Sequence, residues 1–394
     1  MDSLFLSVHF PQLLLQIGYG ILIPVLPLFV ADFGVGYGMI GLALGGMALG
    51  TVVADFPAGA LLRVFDRKSV MIGGLVILGV SVIMLFWCSA VWQVILARIV
   101  GGVGTAMFNL SRHAYITEVT KPQGRGRELA LFGGLARAGV FLGPAIGGLV
   151  AGLFGLKFAF LVYGFLVIMA LLCSVLFVET SNIRGTRSST MKTALLMIYR
   201  SQNRVLGAAG VGQIMVQLVR RAREAIIPLY ASEVIGLDVQ AVGWVVSGAA
   251  LVDMLMFIPA GYIMDRFGRK YAIVPSFLLQ GIGLVAIPIA DSFIGLLLIG
   301  FVIGIGNGLG SGSMMTLGAD LAPRQALGEF LGIWRLIGDT GSTAGPLLVG
   351  VVASAVSLPL ATVLAGGVGF CAAAIFAAYV PETLPPRQAK QQSD

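Results

Sequence analysis

Long apolar stretches, broken by short polar or charged segments, run through the whole 394-residue chain. Each stretch is close to the ~20 residues that an α-helix needs to cross a bilayer. None shows the alternation of apolar and polar residues that indicates a half-buried strand. The pattern predicts twelve transmembrane helices, at residues 5–30, 38–62, 69–91, 93–116, 129–153, 158–178, 205–231, 240–263, 271–290, 293–318, 328–353 and 357–380.

The longest polar stretch divides these predicted helices into two sets of six. We therefore expect an N-terminal six-helix bundle at residues 1–178 and a cytoplasmic linker at 179–204. A second six-helix bundle follows at 205–381, and a cytoplasmic tail at 382–394.

An internal repeat relates the two sets at a constant offset of 202 residues. Residues 139–148 read GVFLGPAIGG and residues 341–350 read GSTAGPLLVG, while residues 57–68 and 259–270 both begin with PAG and end with RK. Many secondary transporters are built from two such repeats, with the substrate site between them. The sequence thus predicts an all-α membrane protein whose two six-helix bundles are related by a pseudo-twofold axis along the membrane normal.

The composition excludes a soluble protein. Hydrophobic residues make up 58% of the chain and charged residues 11%, whereas roughly 25% of an ordinary soluble domain is charged. The three cysteines lie far apart in apolar stretches and suggest neither a disulfide framework nor a metal site. Because no nucleotide-binding or nucleophile motif occurs, we expect no enzyme activity and no cofactor. The repeated design also favours a transporter over a channel.

Lysine and arginine residues indicate the orientation in the membrane. With both termini in the cytoplasm, the cytoplasmic segments contain seventeen of these residues and the opposite loops only Lys157. This bias follows the positive-inside rule and predicts a multi-pass protein of the cell or inner membrane. The net charge of +7 is therefore a topological signal, and we expect no nucleic-acid partner.

The segment GYIMDRFGRK, at residues 261–270, carries a family resemblance. It resembles the loop pattern GxxxDRxGRK of the major facilitator superfamily, and the six-plus-six layout is similar to that family along nearly the whole chain. The resemblance implies that this loop acts as a latch between inward-open and outward-open states. Its residues here are Gly261, Asp265, Arg266, Gly268 and Arg269. The first-half copy keeps Gly59 and Arg67 but has Arg63 where the acid is expected and Asp66 where the second glycine is expected.

Two further segments carry the resemblance, one to the drug/proton export branch of that family and one to the family as a whole. The glycine-rich motif of the fifth predicted helix looks like the antiporter signature; its residues are Gly139, Gly143, Pro144, Gly147 and Gly148, with Gly345 and Pro346 in the second copy. The segment RIVGGVG resembles a motif whose arginine, here Arg98, is associated with proton coupling. The resemblance implies proton-coupled export of amphiphilic small molecules by alternating access. The alternative interpretation is that the GxxxG spacing only packs helices.

Acidic residues within the predicted helices are the candidate proton carriers, since a charge at the bilayer centre costs at least ~2.5 kcal/mol and needs a partner, water or a function. Asp253 has no charged neighbour on its own apolar helix, which makes it the first candidate. Glu224 and Asp339 are the next. Their spacing of four residues predicts ion pairs with Arg220 and Arg335, respectively.

Arginines outnumber acids within the predicted helices, which favours an anionic or zwitterionic cargo over a cationic one. The candidate residues of a substrate cavity are Arg98, Arg137, Gln16, Arg221 and Arg335. Arg137 and Asp339 are equivalent under the 202-residue offset, and we expect them to meet across the cavity. The expected partners are a small amphiphilic or anionic substrate, protons and membrane lipids. An organic-anion importer or facilitator and a lipid or lysolipid flippase remain as alternatives.

Overall fold

The computed structural model describes residues 4–119, 125–179, 203–323 and 327–384, and within these ranges it contains helices and no strand. The helices are α1 (Phe10–Ala31), α2 (Tyr37–Val64), α3 (Arg67–Met84), α4 (Val91–Val119), α5 (Arg125–Phe154), α6 (Leu156–Phe177), α7 (Asn203–Leu229), α8 (Val239–Arg266), α9 (Arg269–Ala286), α10 (Phe293–Leu309), α11 (Leu327–Ala355) and α12 (Leu358–Tyr379). After a turn at residues 310–312, α10 continues as a short helix, Ser313–Leu321. Most of the predicted linker and tail lies outside the described residues, so the domain boundaries stay predictions.

Within the described residues, eleven spans are long and apolar enough to cross a membrane. The twelfth long helix, α7, is less apolar because it carries Arg220, Arg221, Arg223 and Glu224. It nevertheless packs along α11 and α12 like its equivalent in the first half. Two of its charged side chains line a central cavity, which accounts for a polar helix inside a membrane bundle.

Equivalent close contacts in the two halves confirm the internal repeat. A Cβ atom added at Gly102 would lie closer than 3.0 Å to the carbonyl oxygen of Met47. A Cβ atom added at Gly304 would also lie closer than 3.0 Å to a carbonyl oxygen, that of Ala249. Ala249 is 202 residues after Met47, as Gly304 is after Gly102. Glycine is therefore required at the same point of α4 and of α10, where each helix crosses its partner.

Two equivalent seams join the halves, one between α2 and α11 and the other between α5 and α8. A Cβ atom at Gly41 would lie closer than 3.0 Å to Pro346 O, and one at Gly243 would lie 2.5 Å from Pro144 O. Both seams lie near the α1–α2 and α7–α8 connections, and we call this end of the bundle the seam end. The opposite end, where the α2–α3 and α8–α9 connections lie, is the latch end.

Polar residues at the helix starts explain where several helices begin. Asp66 caps α3 by accepting a hydrogen bond from Ser69 N at 3.0 Å, and Asp238 caps α8 through Ala241 N at 2.7 Å. Such caps satisfy donors that the first turn leaves unpaired. Hydrogen bonds from the Ser69 side chain and from the backbone lower the pKa of Asp66, which keeps this cap charged at neutral pH.

Candidate functional site: the central cavity

A cavity of about 270 Å³ lies between the two halves. Helices α1, α2, α3, α4 and α6 line it from the first half, and α7 and α11 line it from the second. It extends from Leu26 and Pro346, near the seam end, to Gln12 and Arg112, near the latch end. Its polar lining residues are Gln12, Gln16, Tyr19, Thr51, Arg98, Thr105, Asn109, Arg112, Tyr163, Arg221, Glu224, Arg335, Asp339 and Ser342.

A three-residue cluster spans the boundary between the halves inside this cavity. The Tyr19 hydroxyl of α1 donates a hydrogen bond to Glu224 Oε2 of α7 at 2.5 Å. Arg221 pairs with the same carboxylate at 2.9 Å and also donates to the Tyr19 hydroxyl. The sequence predicted Arg220 as the partner of Glu224, and that prediction is wrong: Arg220 donates to Gly310 O at 3.0 Å instead.

A second cluster joins α2 to α11. Arg335 lies 3.5 Å from Asp55 of the first half and 3.6 Å from Asp339 on its own helix. The predicted pairing of Arg335 with Asp339 is confirmed. The acids that line the cavity, Glu224 and Asp339, are thus both held next to an arginine.

Two further arginines of the cavity come from α4, and they differ in their partners. Arg112 donates to Gln12 and lies over the rings of Phe108 and Phe132, with its Cζ atom 5.0 and 4.5 Å from their centroids. Arg98 is only 8% exposed, and its Nε atom has no hydrogen-bond partner. Among the described residues, no carboxylate forms an ion pair with it.

Arg137 and Asp253 lie outside the lining of this cavity. The expectation that Arg137 meets Asp339 is not met, because its guanidinium lies over the Phe257 ring at 4.2 Å and donates to Gly133 O. Asp253 has uncharged partners from outside its own helix: Asn307 of α10 donates to it at 2.6 Å and Ser311 of the following turn at 3.5 Å. Because both partners lie on α10 or the turn after it, a search for charges along α8 alone could not find them.

The latch loop of the second half forms a network of its own. Arg269 lies 3.0 Å from Asp320 and 3.4 Å from Asp265, and it also donates to Met264 O. Arg266 donates to the Tyr262 hydroxyl. Gly268 adopts a φ of 123° at the start of α9, a conformation that favours glycine.

Glu382, after the last helix, completes this network. Its carboxylate accepts hydrogen bonds from Arg269 N and Lys270 N at 2.8 and 3.0 Å and so caps α9. Partial burial acts to raise its pKa, but hydrogen bonds from the backbone N–H groups of residues 384, 270, 269 and 383 outweigh that effect and lower the pKa. Glu382 was absent from the sequence-based candidates because it is distant along the chain from the loop motif.

The glycine motif of α5 packs two helices at once. Gly139, Gly143 and Gly147 face α1, where added Cβ atoms would lie closer than 3.0 Å to Gln16, Ile17 and Ile21. Gly148 faces α8 near Gly243. In the second copy, Gly345 faces Leu218 of α7 in the same manner. The motif therefore serves helix packing and the seam between the halves together.

The family model of the Major Facilitator Superfamily matches residues 9–220 and 209–394. The chain belongs to the major facilitator superfamily. Membership makes it a multi-pass membrane transporter and not an enzyme, as the sequence predicted, and its resemblance to the drug-efflux branch is confirmed.

Relatives of this superfamily match most of the chain at low identity. An uncharacterized MFS-type transporter of Methanocaldococcus jannaschii is 24% identical over 86% of this chain and 88% of its own length. The quinolone resistance protein NorA of Staphylococcus aureus is 22% identical over 89% and 90% of the two chains. The multidrug resistance protein MdtH of Aeromonas hydrophila is 25% identical over 82% and 81%.

Solved transporter structures share the fold of this chain. A bacterial homologue of the human lysosomal transporter Spinster, in an inward-facing and occupied conformation, superposes with a TM-score of 0.81 at 15% identity, covering 95% of each chain. A D-xylose–proton symporter superposes with a TM-score of 0.77 at 16% identity, covering 97% and 99%. The predicted fold of two related six-helix bundles is thereby confirmed.

Proposed function

We propose that this transporter works by alternating access and exports amphiphilic small molecules in exchange for protons. The observation that carries the proposal is the cluster of Tyr19, Arg221 and Glu224, which links the two halves inside the cavity. A titratable group at such a boundary can connect proton binding to movement of the halves.

Glu224 is the proton carrier in this proposal. When it is ionised, its carboxylate accepts hydrogen bonds from Tyr19 and Arg221 and holds α1 against α7. Protonation removes the negative charge and weakens these charge-assisted hydrogen bonds. The two halves then separate more easily at this point. Proton binding at Glu224 therefore shifts the equilibrium between the two conformations of the transporter.

The charge distribution supports an inward-open state for this conformation. The positive-inside rule assigns the latch end and both termini to the cytoplasm. The two seams are at the opposite end, where Gly41 and Gly243 approach Pro346 and Pro144 closely. The cavity would then open to the cytoplasm, where an exporter collects its cargo.

Three other candidate residues take secondary roles. Asp339 contacts Arg335, which also reaches Asp55 across the boundary, so this cluster responds to protonation in a similar way. Asp253 is the alternative proton carrier, since its carboxylate is held by the polar side chains of Asn307 and Ser311. Arg98 can act on the proton only through a neighbour, because a guanidinium remains protonated in proteins.

Transport by the purified protein in proteoliposomes tests the proposal. A proton-coupled exporter moves an amphiphile against the amphiphile's own concentration gradient only when a pH gradient is imposed. A cationic dye, an organic anion and a labelled lysolipid should be compared in the same vesicles. Equilibration of the substrate, with no accumulation when the pH gradient is imposed, would favour a facilitator. Movement of the lysolipid alone would favour a flippase.

A further inference from the structure

Arg98 is the only buried cation of the cavity, within the described residues, for which neither an ion pair nor a hydrogen bond is found. Its side chain comes from α4 and is 8% exposed, with Nε unpartnered. The acids that line the same cavity are engaged elsewhere, Glu224 by Arg221 and Asp339 by Arg335. A buried charge without a counter-charge is unfavourable, and an incoming anion removes that penalty.

Tyr163 provides a second donor beside Arg98. The ring of Tyr163 is 2% exposed and lines the cavity from α6, within electrostatic reach of Arg98. No hydrogen bond joins its hydroxyl to any described residue, so the hydroxyl can donate to a ligand. A guanidinium and a phenol together suit a carboxylate or sulfonate, which accepts charge-assisted hydrogen bonds.

Apolar side chains surround this polar pair. Leu22 and Leu26 of α1, Leu44 and Met47 of α2, and Leu78 of α3 line the same cavity. The volume of about 270 Å³ is near the lower limit of the ~300–1,000 Å³ that small-molecule sites occupy. The site therefore suits one small molecule with a single charged group and an apolar body.

Arg112 extends the positive charge toward the latch end. It lies fourteen residues after Arg98 on α4, about 21 Å along the helix, and both arginines line the cavity together with Thr105 and Asn109 between them. A cleft lined by one sign of charge raises the local concentration of the opposite ion. The acids of the cavity, Glu224 and Asp339, lie on α7 and α11, so the α4 wall that carries Arg98 and Arg112 is its positive side. Arg112 thus adds to the positive potential that favours an anion at Arg98.

We propose that the cargo is a monoanionic amphiphile whose carboxylate or sulfonate binds Arg98 and Tyr163, with its apolar body against α1 and α2. This inference rests on the proposed transport function and names its substrate class. A cation of the same shape would meet Arg98, and both acids of the cavity already lie next to an arginine, Glu224 at 2.9 Å and Asp339 at 3.6 Å, so the site favours an anion.

Binding to the purified protein in nanodiscs, at constant pH and without any gradient, tests this proposal. The probes are 1-naphthaleneacetate and 1-naphthylmethyl-trimethylammonium, which share an apolar body and differ in charge; isothermal titration calorimetry measures both. We expect the anion to bind at least about tenfold more tightly, the ratio that corresponds to ~1.4 kcal/mol. Arg98→Gln should remove this preference, and Tyr163→Phe should reduce it in part.

Two further variants make the result decisive. Lys157→Gln removes a cation outside the cavity and should leave both affinities unchanged. Arg98→Lys keeps the charge and should retain part of the preference, which gives a readout even if Arg98→Gln fails to fold. Equal affinity of the wild type for both probes, no binding of the anion, or equal weakening of both probes by Arg98→Gln would overturn the proposal. Because no proton gradient is present, failure of proton-coupled export would leave this measurement unaffected.

Discussion

Tyr19 and Arg221 occupy equivalent positions in the two repeats, 202 residues apart, and Arg221 donates a hydrogen bond to the Tyr19 hydroxyl. Equivalent residues can touch only where they lie close to the pseudo-twofold axis. The contact therefore marks the centre of the transporter, and Glu224 binds both residues there. A change of charge at this point acts on both halves at once.

Glu224→Gln should abolish transport driven by a pH gradient but preserve exchange of substrate without a gradient. The amide keeps the size of the side chain but cannot carry the proton. Uptake into proteoliposomes with and without an imposed gradient measures both activities. Asp291→Asn, at an exposed acid of the α9–α10 connection, is the matched control and should behave like the wild type. Full gradient-driven uptake by Glu224→Gln would remove Glu224 from the mechanism.

Asp253→Asn tests whether Asp253, the alternative to Glu224, is the proton carrier. Since Asp253 lies outside the cavity lining and binds Asn307, we expect this variant to lose stability on the order of 1 kcal/mol and to keep its response to the pH gradient. Thermal unfolding and gradient-driven uptake are measured on the same preparation. If the response is lost while exchange persists, the proton carrier is Asp253.

Gly243→Ala should open the seam between α5 and α8. The added Cβ atom would lie 2.5 Å from Pro144 O, and overpacking of this kind costs about 1–3 kcal/mol. A cost of ~1.4 kcal/mol changes the ratio of two conformations tenfold. The three native cysteines are first replaced, and spin labels are attached at positions 89 and 291, which are equivalent exposed sites at the seam end. The variant should show a larger fraction of molecules in which the two labels are far apart than the protein with Gly243 does.

The control for the seam is Gly367→Ala, since a Cβ atom there meets no atom within 4 Å. The distribution of distances between the two spin labels in Gly367→Ala should match the distribution in the labelled protein without this substitution. An unaltered distribution in Gly243→Ala would mean that the seam does not hold this conformation.

Glu382→Gln should weaken the latch end in a pH-dependent manner. The pKa of Glu382 is lowered in the folded protein, so its contribution to stability is present above the unfolded-state pKa of about 4.3 and is lost as the pH falls through the folded-state pKa. At neutral pH we expect a loss of at most about 1 kcal/mol, typical of a helix cap. The difference in melting temperature between Glu382→Gln and the wild type should disappear in acid. A difference that stays constant with pH would mean that the charge of Glu382 does not stabilise the latch end.

The sequence predicted the fold well because a constant offset and long apolar stretches depend only on the chain itself. Side-chain partners were harder to predict. Arg220 and Arg221 both lie about one turn from Glu224, and the choice between them depends on Tyr19 of α1 and on Gly310 of the turn after α10. Arg137 and Asp339 are also equivalent positions, but they do not meet, because the offset relates positions without bringing them to the axis.

Asp253 shows the same limit. Its own helix offers no charged partner, yet Asn307 of α10 and Ser311 of the turn after α10 reach it. Glu382 lies 113 residues from Arg269, whose backbone it caps, and no local pattern connects them. Contacts between helices are decided by packing, which the hydrophobic pattern does not specify.

Substrate-driven proton movement is the most direct test of the central claim. The purified transporter is reconstituted in vesicles that contain a pH-sensitive dye, and an amphiphilic substrate is added without an imposed gradient. The account predicts that substrate movement in one direction changes the internal pH as protons move in the other, and that Glu224→Gln moves substrate without any pH change. Substrate movement by the wild type with no change in internal pH would contradict it.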